Sequence, residues 1–451
     1  MNLTVENRNY CALVFKAETF TELPNCDNVK GCLIFGNQVI VGKDMAPGTL
    51  GLYFPVETQI LPALLGPNNL YRKAEYGNVD PTAKGGFFEA NGRVRCMKFR
   101  GHRSEGFFVP LASLTGIPLE DLTEGVEFNK IGDLAICDKY IPKNLRMGGG
   151  QNAKPGIKKF RKEDLILDGQ FRFHYDTAQL KRNLHRLELD TPISISDKWH
   201  GTSVVVGHLL TKRILPWYER LAKRVGVQVK EEEYGIIAAS RRVVKSVAGE
   251  VAQDKNHFYD TDLYSLIGQE IADRVPKGFT VYGEIVGYTP KGSAIQKHYG
   301  YRCLPEQHRL LVYRVTFTNH DGHVYELTWE QLKQFCEKVG LEAVIELWKG
   351  TPRDFLFQFT GSGTSCDEPY IPEEWRPVFL ETLQLRFLEK KCPYNNGVPN
   401  EGVVIRIDRL QESEAYKLKS FAFLEHETKM LDEGAEDLET AEEAAQGEEN
   451  G

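Results

Sequence analysis

Lys198-Trp199-His200-Gly201-Thr202-Ser203 is the stretch on which the interpretation of this chain turns. It follows a β-like run, Ile193-Ser194-Ile195. A lysine amine with an ordinary pKa of about 10.4 is a poor nucleophile at neutral pH. It becomes a useful one when it is desolvated or set beside other positive charge. Gly201 lets the backbone come close to a ligand. Thr202 and Ser203 offer hydroxyls or backbone N–H groups to phosphate or ribose. On its own, a Lys-x-x-Gly run is equally a surface lysine in a turn.

Three further charged, strand-like motifs follow in order: Tyr282-Gly283-Glu284-Ile285-Val286-Gly287, Glu401-Gly402-Val403-Val404-Ile405-Arg406 and Tyr416-Lys417-Leu418-Lys419-Ser420. Glu284 interrupts an apolar run. An acid there is costly unless it is paired, binds a metal or sits on an edge strand facing water. Glu401 precedes a β-branched run, and strand alternation puts it on one face with Val403 and Ile405. It is either a turn residue or an acid at a strand mouth, placed to hold Mg²⁺ near phosphate. Lys417 and Lys419 are two apart and share a face. They form either a screened surface pair or a cradle for an anion, and in the second case their field favours a neutral Lys198. Together the motifs supply a nucleophile, two acids and two further cations. That set is what moving a nucleoside monophosphate through a lysine adduct requires.

The 451 residues exceed one ordinary core and predict two or three domains. No run approaches the roughly 18 to 20 apolar residues that span a bilayer, so no membrane association is expected. Met1-Asn2-Leu3-Thr4-Val5-Glu6 lacks the basic start and apolar run of a signal peptide. The 9 cysteines are scattered without a CxxC pair. This argues against a zinc site or disulfide framework and for a reducing, cytoplasmic compartment. The net charge is −7, but 11 acidic residues and one lysine lie between Glu425 and Gly451, which leaves residues 1–424 at +3. A mildly basic body with a disordered acidic tail is expected, with 421–431 packing as helix.

Along the chain, residues 39–43, 50–56, 93–99 and 106–109 read as short strands of a small barrel or sandwich. Lys139, Lys143, Arg146, Lys154, Lys158, Lys159, Arg161 and Lys162 surround Met147-Gly148-Gly149-Gly150. This is a linker, either simply solvated or lying along a phosphate backbone. Beyond it, residues 209–230 have helical spacing and 375–391 read as an amphipathic helix. Thr328-Trp329-Glu330-Gln331 opens another helix with a capping box, ended by Gly340. Residues 279–286, 310–317 and 402–407 read as strands. The pattern is α+β on antiparallel sheet, with no GxGxxG fingerprint, P-loop or internal repeat.

In these motifs, over about residues 165–425, the chain resembles the covalent nucleotidyltransferase superfamily of ligases and mRNA-capping enzymes. Leu311-Val312-Tyr313-Arg314-Val315 is similar to its intermediate motif, with Arg314 where an acid often follows the aromatic. His200, where most DNA ligases and capping enzymes have Asp, resembles the RNA ligase 2 branch. The amino-terminal segments Gly42-Lys43-Asp44-Met45 and Gly51-Leu52-Tyr53-Phe54-Pro55 resemble the oligonucleotide-binding (OB)-like module of RNA ligase 5-type enzymes. The resemblance implies an antiparallel-sheet nucleotidyltransferase domain (ATP-grasp-like ligase) at 166–430. An OB-like β domain at 1–138, a basic linker at 139–165 and an acidic tail at 431–451 complete the expected organisation.

The resemblance further implies that Lys198 forms lysyl-AMP and that Glu284 and Glu401 contact ribose and bind metal. Lys417 and Lys419 would contact the α-phosphate. Tyr313 would stack on the base, Asp197 would frame the adenine, and Arg241, in Ser240-Arg241-Arg242, would bind substrate phosphate. His200, Gly201, Thr202 and Ser203 would complete the ATP site. The implied cofactors are ATP and Mg²⁺, with Mn²⁺ as a substitute. The implied partner is RNA with 3′-OH and 5′-phosphate ends. A GTP-dependent capping enzyme and a DNA ligase share the adduct, but both carry an OB barrel after the last motif, where this chain has mostly acidic residues. A catalytically inactive RNA-binding scaffold would not need the intact motif set.

Overall fold

The computed structural model describes residues 2–83, 85–117, 122–142, 162–174, 176–247, 259, 261–360, 371–395 and 397–434. Most of the expected linker, including Lys143, Arg146, Lys154, Lys158, Lys159 and Arg161, lies outside these residues, as does the acidic end from 435 onward. Among the described residues no helix is long and apolar enough to cross a membrane. The described cysteines are all free thiols.

The amino-terminal part is β-rich. Its central sheet runs Phe107–Pro110, Thr49–Phe54, Ala12–Ala17, Glu127–Phe128, and a second, three-stranded sheet joins Phe20–Thr21, Val29–Ile34 and Asn37–Gly42. Alternate residues of Ala12–Ala17 face two cores. Ala12 and Val14 meet Leu52, Phe54 and Phe128, whereas Leu13 and Ala17 meet Cys32, Ile34 and Tyr53.

From residue 176 two antiparallel sheets dominate. One has the order Ala178–Gln179, Glu414–Lys419, Gly402–Ile407, Ile193–Lys198, Glu346–Gly350, with only the first pairing parallel. The other runs Val244–Val247, Glu232–Ala239, Thr202–Lys212, Phe279–Gly287, His308–Thr318, Val324–Glu326, with Glu342–Ala343 added in parallel. In the first sheet Ile193, Ile195, Val403, Ile405, Ile407, Tyr416 and Leu418 face a core closed by helices Pro352–Thr360 and Trp375–Leu383. In the second, Val204, Val206, Val281 and Ile285 face a core shared with helices Leu263–Glu270 and Trp329–Val339. Each sheet spends one face on its own helices; on the other face of the second sheet Val205, Leu209, Ile237 and Tyr282 pack with Leu165, Ile166, Phe171 and Phe173, and Ser203, Glu284 and Tyr313 meet the Lys198 face of the first sheet across a cleft.

Local expectations fare unevenly. The Trp329–Val339 helix has the full Thr328/Gln331 capping box, and Gly340 ends it at φ 69°. The expected helix over 209–230 shrinks to Trp217–Arg224, because Leu209, Leu210 and Thr211 extend a strand paired with Glu233–Gly235. Trp375–Leu383 gives way to a π-turn at Gln384–Leu388 rather than continuing to 391 as α-helix.

A helix, Phe421–Asp432, starts immediately after the last sheet strand. Its N-cap hydroxyl, Ser420 Oγ, accepts from Phe423 N–H at 3.0 Å and donates to Asn400 O at 2.6 Å. It packs against the amino-terminal strand Cys96–Phe99. Arg93, fully buried, makes a bidentate pair with Glu57 (2.7 and 2.9 Å) and reaches Asp432 at 3.2 Å. Cys96 N–H donates to Thr428 Oγ1, and Lys98 pairs with Glu425. These bonds fix the β-rich unit on the helix that follows Lys419.

Candidate active site

The cleft between the sheets is built by alternation and register. Lys198 pairs with Gly402 and Ser196 with Val404, while Lys419 and Lys417 pair with the same two residues from the other side. Cross-strand partners share a face. Ser196, Lys198, Val404, Lys417 and Lys419 therefore line one cavity, together with Arg406 and Ala415. The second sheet adds Ser203 and Glu284, paired with each other, and Tyr313 and Arg314. Lys198 ends one sheet and Thr202 begins the other, so residues 199–201 form the corner joining them.

That corner is tightly held. Gly201 N–H donates to Glu284 Oε1 (2.9 Å), Ser203 Oγ donates to Glu284 Oε2 (3.1 Å), and Gln296 Nε2 donates to Gly201 O (2.8 Å). A Cβ on Gly201 would lie 2.2 Å from Ile285 O, so only glycine fits. His200 N–H donates to Tyr301 Oη (2.8 Å), and its ring lies edge-on between Tyr299 and Phe423. Thr202 Oγ1 shares a hydrogen bond with Tyr264 Oη. His200, Gly201 and Thr202, all expected around the nucleotide, thus act in the scaffold. Their side chains or backbone bonds point into the second sheet's core, and none lines the cavity.

Glu401 differs from its expected position. It lies just outside the strand, which starts at Gly402 with φ 156°. A Cβ there would sit 2.0 Å from Leu418 O. The glycine breaks the alternation, and Glu401 turns away from Val403 and Ile405 toward the lysines. Its Oε1 lies 2.6 Å from Lys198 Nζ and 3.8 Å from Lys419 Nζ. Its Oε2 is buried and has no hydrogen-bond partner among the described residues. An unsatisfied buried carboxylate oxygen is costly and suits a cation arriving with a ligand. No cluster of three or more His, Cys, Asp or Glu among the described residues forms a metal cage. The donor set therefore fits Mg²⁺ carried mainly by phosphate and water, with one carboxylate oxygen from the protein.

The remaining cations are set by packing. Lys419 also pairs with Glu427 at 3.2 Å. Lys417 is buried, and burial, reinforced by the charges of Lys198, Lys419 and Arg241, pushes its ammonium down to about 8, with Asp176 opposing. Arg241 is ion-paired with Asp176, and both line the cavity. Asp197 also borders it, but its carboxyl is hydrogen-bonded to Asn400, and burial raises it to about 6. Tyr313 occupies a register shift opposite Tyr282/Gly283, where a bulge re-aims a side chain, and its hydroxyl meets His174 Nδ1 at 3.3 Å. Past it, Trp329, Val344 and Val404 give the cavity an apolar end, bordered by Glu326 between Arg314 (2.8 Å) and Arg406 (3.1 Å).

Sequence reasoning missed Ser196, which the period-2 rule applied from Lys198 finds, and Val404 and Arg406, whose face is set by their pairing with Ser196, Lys417 and Ala415 on the flanking strands. It also missed Asp176, His174 and Tyr10, which line the cavity and have no local signal, and it placed Lys139 in a basic linker rather than at the cavity wall.

The RNA ligase family model matches residues 191–419. No curated protein matches the chain. Among solved structures, a mutant RNA ligase of Naegleria gruberi with AMP and Mn aligns at TM-score 0.54 and 15% identity, covering 93% of this chain and 99% of that one. Another mutant of that ligase, with ATP and Mn, aligns at 0.56 and 14%, covering 92% and 98%. The same ligase with pyrophosphate aligns at 0.51 and 14%, covering 93% and 98%. At this identity the likeness is one of fold. The family match extends over more than half of the chain and takes in all four motifs from Lys198 to Lys419, so the protein belongs to the RNA ligase family and is a ligase.

Proposed function

We propose that the protein is an ATP- and Mg²⁺-dependent RNA ligase that joins a 3′-OH to a 5′-phosphate through lysyl-AMP on Lys198. The observation that carries this is the shared face of Lys198, Lys417 and Lys419, with Glu401 Oε1 2.6 Å from the Lys198 ammonium. The Naegleria ligase is solved with ATP or AMP and Mn, which supports the same nucleotide and a divalent ion here.

In the first step Lys198 Nζ attacks the α-phosphorus. An N–P bond forms, and the bond to the bridging oxygen breaks as pyrophosphate leaves. The ammonium must first lose a proton, and Glu401 Oε1, 2.6 Å away, is placed to accept it. Lys417 and Lys419 neutralise the α-phosphate oxygens and make the phosphorus more electrophilic. A bound divalent ion, held in part by Glu401, would supply further charge neutralisation at phosphate oxygens. Glu284 keeps the corner rigid through Gly201 and Ser203, which holds Lys198 in line. AMP then passes to the 5′-phosphate of RNA, and attack by the 3′-OH expels AMP and closes the phosphodiester. Tyr313, Trp329, Val344 and Val404 form the apolar end that takes the base, and Arg241 serves substrate phosphate. Residues 1–138 act as an OB-like module and, with the basic 139–165 segment, grip the RNA beside the break through phosphate contacts.

Incubation with α-labelled ATP or GTP and Mg²⁺ tests the assignment. The expected result is a labelled protein band from ATP, absent in Lys198→Ala. Labelling from GTP alone identifies a guanylyltransferase, and labelling that survives Lys198→Ala removes the assigned nucleophile.

A further inference from the structure

We infer that the excursion at residues 213–231 is a docking surface for RNA, on which Trp217 stacks an unpaired base of a substrate strand while Arg220 and Arg224 meet its phosphates. This rests on the ligase function proposed above and adds a contact remote from the cavity. The excursion joins the strands Thr202–Lys212 and Glu232–Ala239 and carries the helix Trp217–Arg224, none of whose residues is buried. Ile214, Trp217, Tyr218, Leu221, Val225 and Val227 are all exposed, Trp217 to 71%. A contiguous group of large apolar side chains left in water marks a contact surface.

Charge identifies the occupant. Spacing of three and four residues puts Trp217, Arg220, Leu221 and Arg224 on one face of the helix. The acids of the excursion are engaged elsewhere: Glu219 pairs with Arg213 (2.8 Å) and Glu231 with Lys223 (2.6 Å). Arg220 and Arg224 are exposed and have no ion-pair partner among the described residues. An exposed aromatic ring beside arginines suits a single strand, because every base has a face to stack and every nucleotide a phosphate. A helix that lies in a membrane surface keeps its cations on the side away from its apolar residues. Here Arg220 and Arg224 lie beside Trp217, as phosphates beside a stacked base require. Arg213 also donates to Lys230 O (2.8 Å), which closes the neck of the excursion and presents the face at little entropic cost on binding.

Its place in the fold supplies the path. Ser203 lines the cavity and Lys212 ends the same strand, roughly 30 Å away at about 3.3 Å per residue. At about 3.4 Å per nucleotide, a stacked strand covers that distance with about nine nucleotides. The basic stretch at 139–165 connects the same two places: Lys139 lines the cavity, and at the other end Asp164 O accepts from Lys212 Nζ (2.9 Å). A strand joined at Lys198 and held by that stretch is led toward the excursion.

The test measures binding of the full-length protein to a short nicked RNA duplex and to the same duplex continued on each side by an unpaired arm of about 15 nucleotides, longer than the path to the excursion. Adduct formation from ATP and sealing are followed in parallel. Trp217→Ala should weaken binding of the armed RNA about tenfold, the loss of one stacked base, and Trp217→Phe should restore most of it. Arg220→Gln combined with Arg224→Gln should also weaken it and lower the slope of log affinity against log salt by about 1.4, the share of two phosphate contacts on a single strand. Binding of the short duplex and adduct formation should be unchanged in all of these. Unchanged binding of the armed RNA by Trp217→Ala overturns the inference, and so does an equal loss on both RNAs. Phosphatidylserine vesicles and sedimentation of the protein alone test the other occupants. If Trp217→Ala abolishes vesicle binding or self-association and leaves the armed RNA untouched, the surface belongs to a membrane or to a second copy and the inference is overturned. If the unaltered protein forms no adduct from ATP, the ligase function itself fails; if it seals normally but gains no affinity from the arms, the docking surface alone fails.

Discussion

Lys417 provides a stability measurement that tests the electrostatics of the cavity without any substrate. Its ammonium is buried and drops from an ordinary 10.5 to about 8, chiefly through desolvation. At about 1.4 kcal/mol per tenfold change in proton affinity, this penalty is about 3 kcal/mol. A lysine whose folded pKa is depressed destabilises the fold. The penalty is fully present below about pH 8, where both states carry the charge, and fades as pH rises toward 10.5, where neither does. Lys417→Met keeps the stem and removes the charge. It should therefore be about 3 kcal/mol more stable than the unaltered protein in urea unfolding at pH 7. The advantage should shrink steadily between pH 8 and 10.5, because other titrating groups are common to both proteins and cancel in the difference. Mg²⁺-ATP should stabilise the unaltered protein more than Lys417→Met, since the phosphate offsets the repulsion only where the charge exists. Adduct formation should be lost in the variant. A Lys417→Met protein that is less stable at pH 7, or whose difference ignores pH, would refute the argument that this fold stores unfavourable charge for an anion.

Glu401→Gln removes the proton acceptor and leaves Lys198 and Lys419 less compensated; single-turnover labelling with ATP should slow by roughly 30- to 1000-fold, for a loss of about 2–4 kcal/mol. Gly201→Ala forces a methyl to within 2.2 Å of Ile285 O. Overpacking of about 1–3 kcal/mol should show in urea unfolding, together with a slowed adduct step as the corner moves. Arg93→Ala strips the pair from buried Glu57 and the link to Asp432, so urea unfolding should show a loss of about 3–5 kcal/mol; an unchanged midpoint would mean that this bridge does not join the two units.

What the sequence determined by itself was the chemistry and its local order. Alternation along a strand is a property of the backbone, so Lys417 and Lys419 on one face, and Glu284 inside an apolar strand, followed from spacing alone. The Thr328 capping box was legible because Thr328, Gln331 and Gly340 are the residues that the backbone groups at a helix's ends need. The tertiary structure decided which faces meet. Leu209–Thr211 carry a helical pattern but pair as strand because their neighbour in space, Glu232–Ala239, lies beyond an excursion of the chain. Glu401 reverses its face at Gly402, where the neighbouring strand of the same sheet comes within reach of a Cβ, a contact with residue 418 that no local window contains. His200 sits inside the nucleophile motif, yet its ring is captured by Tyr299 and Phe423 from distant segments. Tyr10, Lys139, Asp176 and Arg241 converge on one cavity from four stretches of chain. Covalent spacing fixes neighbours only within a few residues; the cavity depends on sheet order and domain docking, which are set by the burial of whole faces.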